Sequence, residues 1–230
     1  MRIALLVELF QQLPALPDGD FLDGRSLELQ PHLERFQTKV AEAYSEGTLQ
    51  RLLTSESVQA RRAAILALGL HGTMLSNAAV AACLADSEPQ VSRLAADALW
   101  NIWYRAEGET NKRELQRLTQ LKSAQKTLRG LDNLIERVPG FAEAHNQRAI
   151  MHFHLGEFQK AISDCEKTLK LNPYHFGAQA GMAHCLVKLR KPRAALRAYR
   201  KALKINPELD DIAEAIRALE ESLDDGGINQ

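Results

Sequence analysis

The tract from Phe141 to Pro207 states one 34-residue pattern twice. Ala149, Phe158, Ala161, Cys165 and Leu169 of the first copy return as Ala183, Pro192, Ala195, Tyr199 and Leu203, and KTLKLNP ending at Pro173 returns as KALKINP ending at Pro207. A period of this size is one helical hairpin. A single hairpin cannot bury its apolar face, so successive copies must stack, and the stack exposes an open groove rather than an enclosed pocket. The pattern points to binding before chemistry.

Each conserved feature of the copy has a packing reason. Ala149, Ala161, Ala183 and Ala195 are small because two helices that cross closely leave no room for a branched side chain, while Phe158, Leu169, Tyr199 and Leu203 fill the space beside them. Asn172-Pro173 and Asn206-Pro207 end the second helix of each copy, since proline lacks the amide hydrogen and turns the preceding residue away from helical dihedrals. Another 34 residues upstream, Leu128, Leu131, Ile135 and Pro139 line up with Ile162, Cys165, Leu169 and Pro173. A degenerate third copy is therefore predicted over 108–140.

The stretch NQRAIMHFHLGEFQKAISDCEKTLKLNP resembles the tetratricopeptide family at Ala149 and Ala161, at the Gly156-Glu157-Phe158 turn and at Pro173. Ahead of it lies a second periodicity: ARRAAILALG ending at Gly69 recurs 31 residues later as VSRLAADALW ending at Trp100. Ala60, Arg62, Ala64, Ala67 and Leu68 map onto Val91, Arg93, Ala95, Ala98 and Leu99, and Leu53 onto Leu84. This text, DSEPQVSRLAADAL in particular, is similar to HEAT repeats of the short bacterial type. Ser92 departs from that family, which commonly has arginine there, and breaks any ladder of stacked arginines.

Composition agrees with a helical stack, with 45% hydrophobic but only 6% aromatic residues. Three cysteines, Cys83, Cys165 and Cys185, form no CxxC pair, which argues against a zinc site or disulfide framework and fits a reducing compartment. IALLVELF is short and interrupted by Glu8, so it reads as an amphipathic helix rather than a signal peptide, and no run approaches the ~20 apolar residues of a membrane span. PALPDGDFLDGRS, Pro14–Ser26, reads as a loop. After it, Leu33, Phe36, Val40 and Tyr44 have helical spacing behind Pro31. Formal net charge is zero, but Lys167 to Pro207 holds ten Lys or Arg and no acid, whereas Glu208 to Asp225 holds eight acids and Arg217.

The tetratricopeptide resemblance implies a groove lined by the first helix of each hairpin. Its inward positions fall on Asn146, Ile150, Phe153 and His154 in one copy and on Ala180, His184, Val187 and Lys188 in the next. The family's chaperone-tail binders grip a terminal carboxylate with converging Lys, Asn and Arg donors. Here Gln147 stands at the clamp asparagine, and Gly177 and Gly181 stand at Lys and Arg positions, so an acidic tail is not expected to be held in that way. Small Gly177, Ala180 and Gly181 either let a partner approach closely or let adjacent helices pack.

Other chemistries find little support. His152 and His154 are two apart, about 200° around a helix, and point to different sides, which speaks against a shared metal ion. Gly-rich phosphate loops, GxSxG and HExxH are absent from the sequence. Arg193, Arg197, Arg200 and Lys204 form a basic stripe at helical spacing that would attract nucleic acid, but no aromatics interleave with it. Short HEAT repeats also occur in phycobilin lyases, so bilin attachment or removal is the enzymatic alternative that this resemblance implies. Trp100, Trp103 and Tyr104 share one helix face, either burying the junction between the two repeat types or presenting an aromatic patch to a partner. Ile212, Ile216 and Leu219 give a final helix, about Leu209 to Leu223, the apolar side of a terminal cap.

The expected fold is an all-α, right-handed α-α superhelical solenoid, HEAT-like units followed by tetratricopeptide units. Its expected divisions are an N-terminal helical segment or cap over 1–46, HEAT-like repeats over 47–107, the degenerate unit over 108–140, two repeats over 141–207, and a capping helix with tail over 208–230. The expected function is a non-enzymatic cytoplasmic scaffold or adaptor that holds a peptide or helix of another protein through Asn146, Ile150, Phe153, His154, Ala180, His184, Val187 and Lys188. Neither a cofactor, a metal, a catalytic residue nor a membrane partner is expected.

Overall fold

The computed structural model describes residues 3–14 and 28–227, with side chains as far as Leu223 in the last helix. From residue 15 on, the expected loop over Pro14–Ser26 lies outside the described residues. Every regular element among the described residues is helical, as the repeats require. The chain divides into two compact units, residues 1–106 and 107–230. Among the described residues no helix is long and apolar enough to cross a membrane.

The first unit holds α1 (Ile3–Gln11), α2 (Gln30–Ala43), α3 (Glu46–Leu52), α4 (Val58–His71), α5 (Asn77–Ala82) and α6 (Pro89–Arg105). Helix α4 is its centre, packed against α1, α2, α3 and α6. Ala60, Ala63, Ala64, Ile65, Leu66, Ala67 and Leu68 are all 0% exposed. The run from Ala63 to Leu68 covers more than a full helical turn, so this stretch is surrounded, and its alanines let four neighbours approach closely. The Ser57 hydroxyl caps its start by accepting the Ala60 N–H at 3.3 Å. At its end a side chain on Gly72 would lie 2.5 Å from the Leu68 carbonyl oxygen, so glycine is required there.

Polar links tie the hairpins of this unit together. Arg61 donates from Nε and Nη2 to the two carboxylate oxygens of Asp86, 2.8 Å each, and from Nη1 to the Ser55 carbonyl. Ser92, 31 residues after Arg61, is buried and donates its hydroxyl to the Pro89 carbonyl of its own helix. Trp103, 1% exposed, donates Nε1–H to Asn77 Oδ1 at 2.7 Å. Trp100 lies against it edge to face at 5.1 Å. In α2, Leu33, Phe36, Val40 and the following Tyr44 are buried, and Phe36 meets Phe10 of α1 at 6.5 Å.

The second unit runs α7 (Glu109–Thr119), α8 (Ala124–Arg137), α9 (Ala142–His154), α10 (Phe158–Leu171), α11 (Phe176–Lys188), α12 (Pro192–Ile205) and α13 (Asp210–Gly227). Each helix packs on the next, and α9 also touches α11. Short turns between packed neighbours make each pair antiparallel. In the α7–α8 contact an added Cβ on Gly130 would lie 2.1 Å from the side chain of buried Leu118.

Two apolar clusters fill the repeat tract. Ala149, Ala161, Ile162, Cys165, Ala178 and Cys185 join α9, α10 and α11, with Phe153, Phe158 and Leu169 packed on them. Ala183, Ala195, Tyr199 and Ala202 join Ile212 and Ile216 of α13, with Leu219 beside them. Helix α13 thus covers the apolar side of α12.

The turns show why particular residues recur. After α10 and α12, the side-chain carbonyls of Asn172 and Asn206 accept the N–H two residues on, from Tyr174 at 3.2 Å and Glu208 at 3.1 Å. Asparagine therefore completes the stop that proline begins. After α9, Gly156 takes φ +74° and the Glu157 N–H reaches back to the His152 carbonyl; after α11, Arg190 takes φ +55° and the Lys191 N–H reaches the Leu186 carbonyl. This is one helix-ending motif with a left-handed residue, built once with glycine and once with arginine.

Candidate partner-binding site

The first helices of the two hairpins, α9 and α11, carry the expected groove residues, and the structure treats them unequally. Ile150 and Val187 are large apolar side chains left 40% and 37% exposed. Phe153 is half-buried and lies at the centre of a chain of ring contacts. Its ring meets Phe158 at 5.6 Å, His154 at 6.0 Å and His184 at 6.5 Å. The His184 ring meets Tyr199 of α12 at 5.4 Å. An aromatic line therefore runs from α10 through α9 and α11 to α12, joining the two hairpins. His154 and Lys188 are exposed at the ends of their helices.

Asn146 and Ala180 are more covered. Asn146 is 3% exposed, and its Nδ2 donates to Glu143 Oε1 at 3.1 Å. Ala180 packs against the cluster made by α11, α12 and α13. At Gly181 an added Cβ would meet Cys165 Sγ at 3.7 Å, an ordinary contact, so helix packing does not demand glycine there.

Burial sets the protonation of the groove and its thiols. Burial lowers the His184 pKa, against the opposing pull of Asp211, so its imidazole is neutral at physiological pH and offers one donor and one acceptor. Burial pushes the Tyr199 hydroxyl up to about 12, with the charge of Asp211 adding to it. It also pushes Cys165 up to about 12 and Cys185 up to about 11. These cysteines are thiols packed as small hydrophobes.

Beside the groove lies a buried polar seam that the sequence patterns did not single out. Glu143 and His175 are each 0% exposed and 2.9 Å apart between Oε2 and Nε2. The Ala178 N–H donates to His175 Nδ1 at 3.0 Å, which places the ring hydrogen on Nε2, where it donates to Glu143. One histidine thus caps α11 and ties it to α9. Gln147 Nε2 also donates to Glu143 Oε1, at 2.7 Å, so the residue at the family's clamp position turns toward this carboxylate.

A second group fastens α8, α9 and α10. Arg148 donates from Nε and Nη2 to Asp164, at 2.9 and 2.7 Å, and from Nη1 to Asp132 at 2.7 Å. Burial alone would raise the Asp164 carboxyl, but the neighbouring His145 and the Arg148 fork hold it below the usual carboxylate range. Hydrogen bonding to Asp164 in turn raises the Arg148 pKa. His152 Nδ1 lies 2.6 Å from Glu157 Oε2 and its Nε2 lies 3.9 Å from Asp164, so the two histidines two residues apart on α9 diverge, His152 to this seam and His154 to an exposed position beside Phe153.

The signal for the seam lay in where the two copies differ. Glu143, Arg148, His152 and Asp164 of the first copy become Gly177, Met182, Leu186 and Ala198 in the second. Comparing copies for what recurs discards these positions, yet they mark where the surroundings differ: Arg148 reaches Asp132 of α8, whereas Met182, Leu186 and Ala198 pack in the apolar cluster of α11, α12 and α13.

On α12, Arg193, Arg197, Arg200 and Lys204 are all exposed, and Arg200 is paired with Glu220 of α13 at 2.6 Å.

Known proteins bear on the repeat tract. Residues 142–175 match one tetratricopeptide repeat family model and residues 177–209 match another. A tetratricopeptide repeat-containing protein of Rhizobium etli is 37% identical over 93 residues, covering 40% of this chain and 46% of that protein. The matched segments span less than half the length of the curated relatives. Among solved structures, the first tetratricopeptide domain of Spaghetti bound to an HSP90 peptide has a TM-score of 0.47 at 19% identity, covering 50% of this chain and 90% of that one. A thermophilic tetratricopeptide protein of Thermus thermophilus has a TM-score of 0.42 at 18% identity, covering 94% of this chain and 98% of that one. Helices α9 to α12 are two tetratricopeptide repeats.

Proposed function

We propose that this chain is a non-enzymatic interaction scaffold whose repeats hold a peptide or helical segment of another protein in the groove of α9 and α11. The observation that carries this reading is the aromatic line Phe158–Phe153–His184–Tyr199 across two hairpins, flanked by half-exposed Ile150 and Val187. Apolar and aromatic side chains left half-covered on adjacent helices supply the buried anchor that dominates interface energies, while neutral His184 and exposed His154 and Lys188 orient the partner's polar groups.

In this proposal the first unit is a pair of HEAT-like hairpins. Its support is the 31-residue recurrence and the fork of Arg61 on Asp86. The setting is the cytoplasm, which three free cysteines favour.

The experiment is affinity capture from the native cell with wild type and with Ile150→Ser/Phe153→Ser. The variant is expected to keep its helical circular dichroism and lose the captured protein, each hot-spot contact being worth on the order of 1 kcal/mol or more. Unchanged capture by the folded variant refutes the groove assignment.

A further inference from the structure

The geometry points to the turn joining α11 to α12 as an acid-recognising corner of the groove: Lys188, Arg190 and Lys191 receive a carboxylate that lies beside the apolar anchor of the bound segment. This rests on the groove proposed above and adds the partner's chemistry to it.

The two copies of this turn differ in charge. His154, Gly156 and Glu157 of the first become Lys188, Arg190 and Lys191 of the second. In the first copy the turn carries a carboxylate, and that carboxylate is engaged by His152 and Lys160. In the second it carries three cations, all exposed. Among the described residues none of the three has an ion-pair partner, whereas Arg200 on the next helix is matched to Glu220. Three adjacent cations repel one another, and nothing described within the chain offsets this.

The cations are also held at the groove. The turn follows Val187 directly, the Arg190 N–H donates to the Val187 carbonyl and the Lys191 N–H to the Leu186 carbonyl. The helix end that presents the exposed apolar residue therefore presents the charges. Arg190 sits at φ +55°, the conformation that its counterpart Gly156 adopts without steric cost. Folding alone favours glycine at this position, and a cation there against that preference marks the turn for a ligand. Charge complementarity selects an Asp or Glu within a few residues of the partner's apolar anchor. This corner is separate from the carboxylate-clamp positions, which hold Gln147, Gly177 and Gly181.

The test is selection from a random peptide library displayed on phage, with the full chain and with Arg190→Gly/Lys191→Gln as parallel targets. The glycine is safe for folding because the first copy carries it at the same turn. Wild type is expected to enrich peptides that combine an apolar residue with Asp or Glu. A selected peptide and its twin with each acid changed to the amide are then compared by fluorescence anisotropy in low salt. The acidic peptide is expected to bind wild type about threefold to tenfold tighter than its twin, and the variant about equally. Equal binding of the twins to wild type, or an undiminished ratio in the variant, overturns the corner and leaves the groove standing. No enrichment of any peptide by wild type overturns groove and corner together.

Discussion

His175 reaches back across one whole hairpin to Glu143, Nε2 to Oε2 at 2.9 Å, with both side chains sealed from solvent. The pair stands at the start of α9 and just ahead of α11, so it ties the first helices of the two repeats together at their N-terminal ends.

Removing either member strands the other in the interior. His175→Ala also takes away the cap that accepts the Ala178 N–H. The expected loss is about 3 kcal/mol, read from urea unfolding followed by circular dichroism. A loss below about 1 kcal/mol would mean that the seam is incidental to repeat register.

The second copy shows how to dismantle the Arg148–Asp164 fork. Arg148→Met alone leaves Asp164 buried without its main donors and is expected to cost about 3 kcal/mol. Arg148→Met/Asp164→Ala reproduces Met182 and Ala198 and is expected to recover at least about 1 kcal/mol of that. A double-mutant cycle measures the coupling, and strictly additive losses would contradict the ion-pair account.

Arg190 and Gly156 occupy one turn position with φ of +55° and +74°. Arg190→Gly relieves the left-handed residue and is expected to stabilise the fold by about 0.5 to 1 kcal/mol, net of the added freedom of the unfolded glycine. Gly156→Ala is expected to destabilise by about 1 kcal/mol. The two melting temperatures should move in opposite directions.

Acid should weaken this fold through His184 before it does so through Asp164. The folded His184 pKa lies below its unfolded value, so the unfolded chain binds more protons and stability falls as pH drops below about 6.5. Asp164 is also depressed, so its contribution is complete above the ordinary carboxylate range and is lost only as pH falls through its lower folded value. Urea midpoints from pH 8 to pH 3 test this order. His184→Gln should flatten the limb between about pH 6.5 and 5 relative to wild type, and an identical slope there would reject the assignment.

The helical hairpins were legible because a repeat is a local statement. Small residues at Ala149, Ala161, Ala183 and Ala195, the Asn-Pro stops and the spacing of Ile212, Ile216 and Leu219 each act within one or two turns of chain, and α9 to α13 follow from them. Helical spacing also puts Ile150, Phe153 and His154 on one side of α9 and His184, Val187 and Lys188 on one side of α11, while the choice of that side as a groove came from the tetratricopeptide resemblance.

Which of those faces closes and which stays open was decided in three dimensions. Asn146 carries the same spacing signal as Ile150, yet Glu143 draws it inward, and Glu143 is drawn by His175, 32 residues away in sequence. A buried charge needs partners converging from several helices, and no periodicity within one segment encodes that convergence. The chain's own pattern sets hairpins, turns and candidate faces, because those depend on neighbours three and four residues apart. The polar seam, the aromatic line across two hairpins and the exposed cations of the α11–α12 turn exist only once distant helices pack, because desolvation and pairing are properties of the assembled surface.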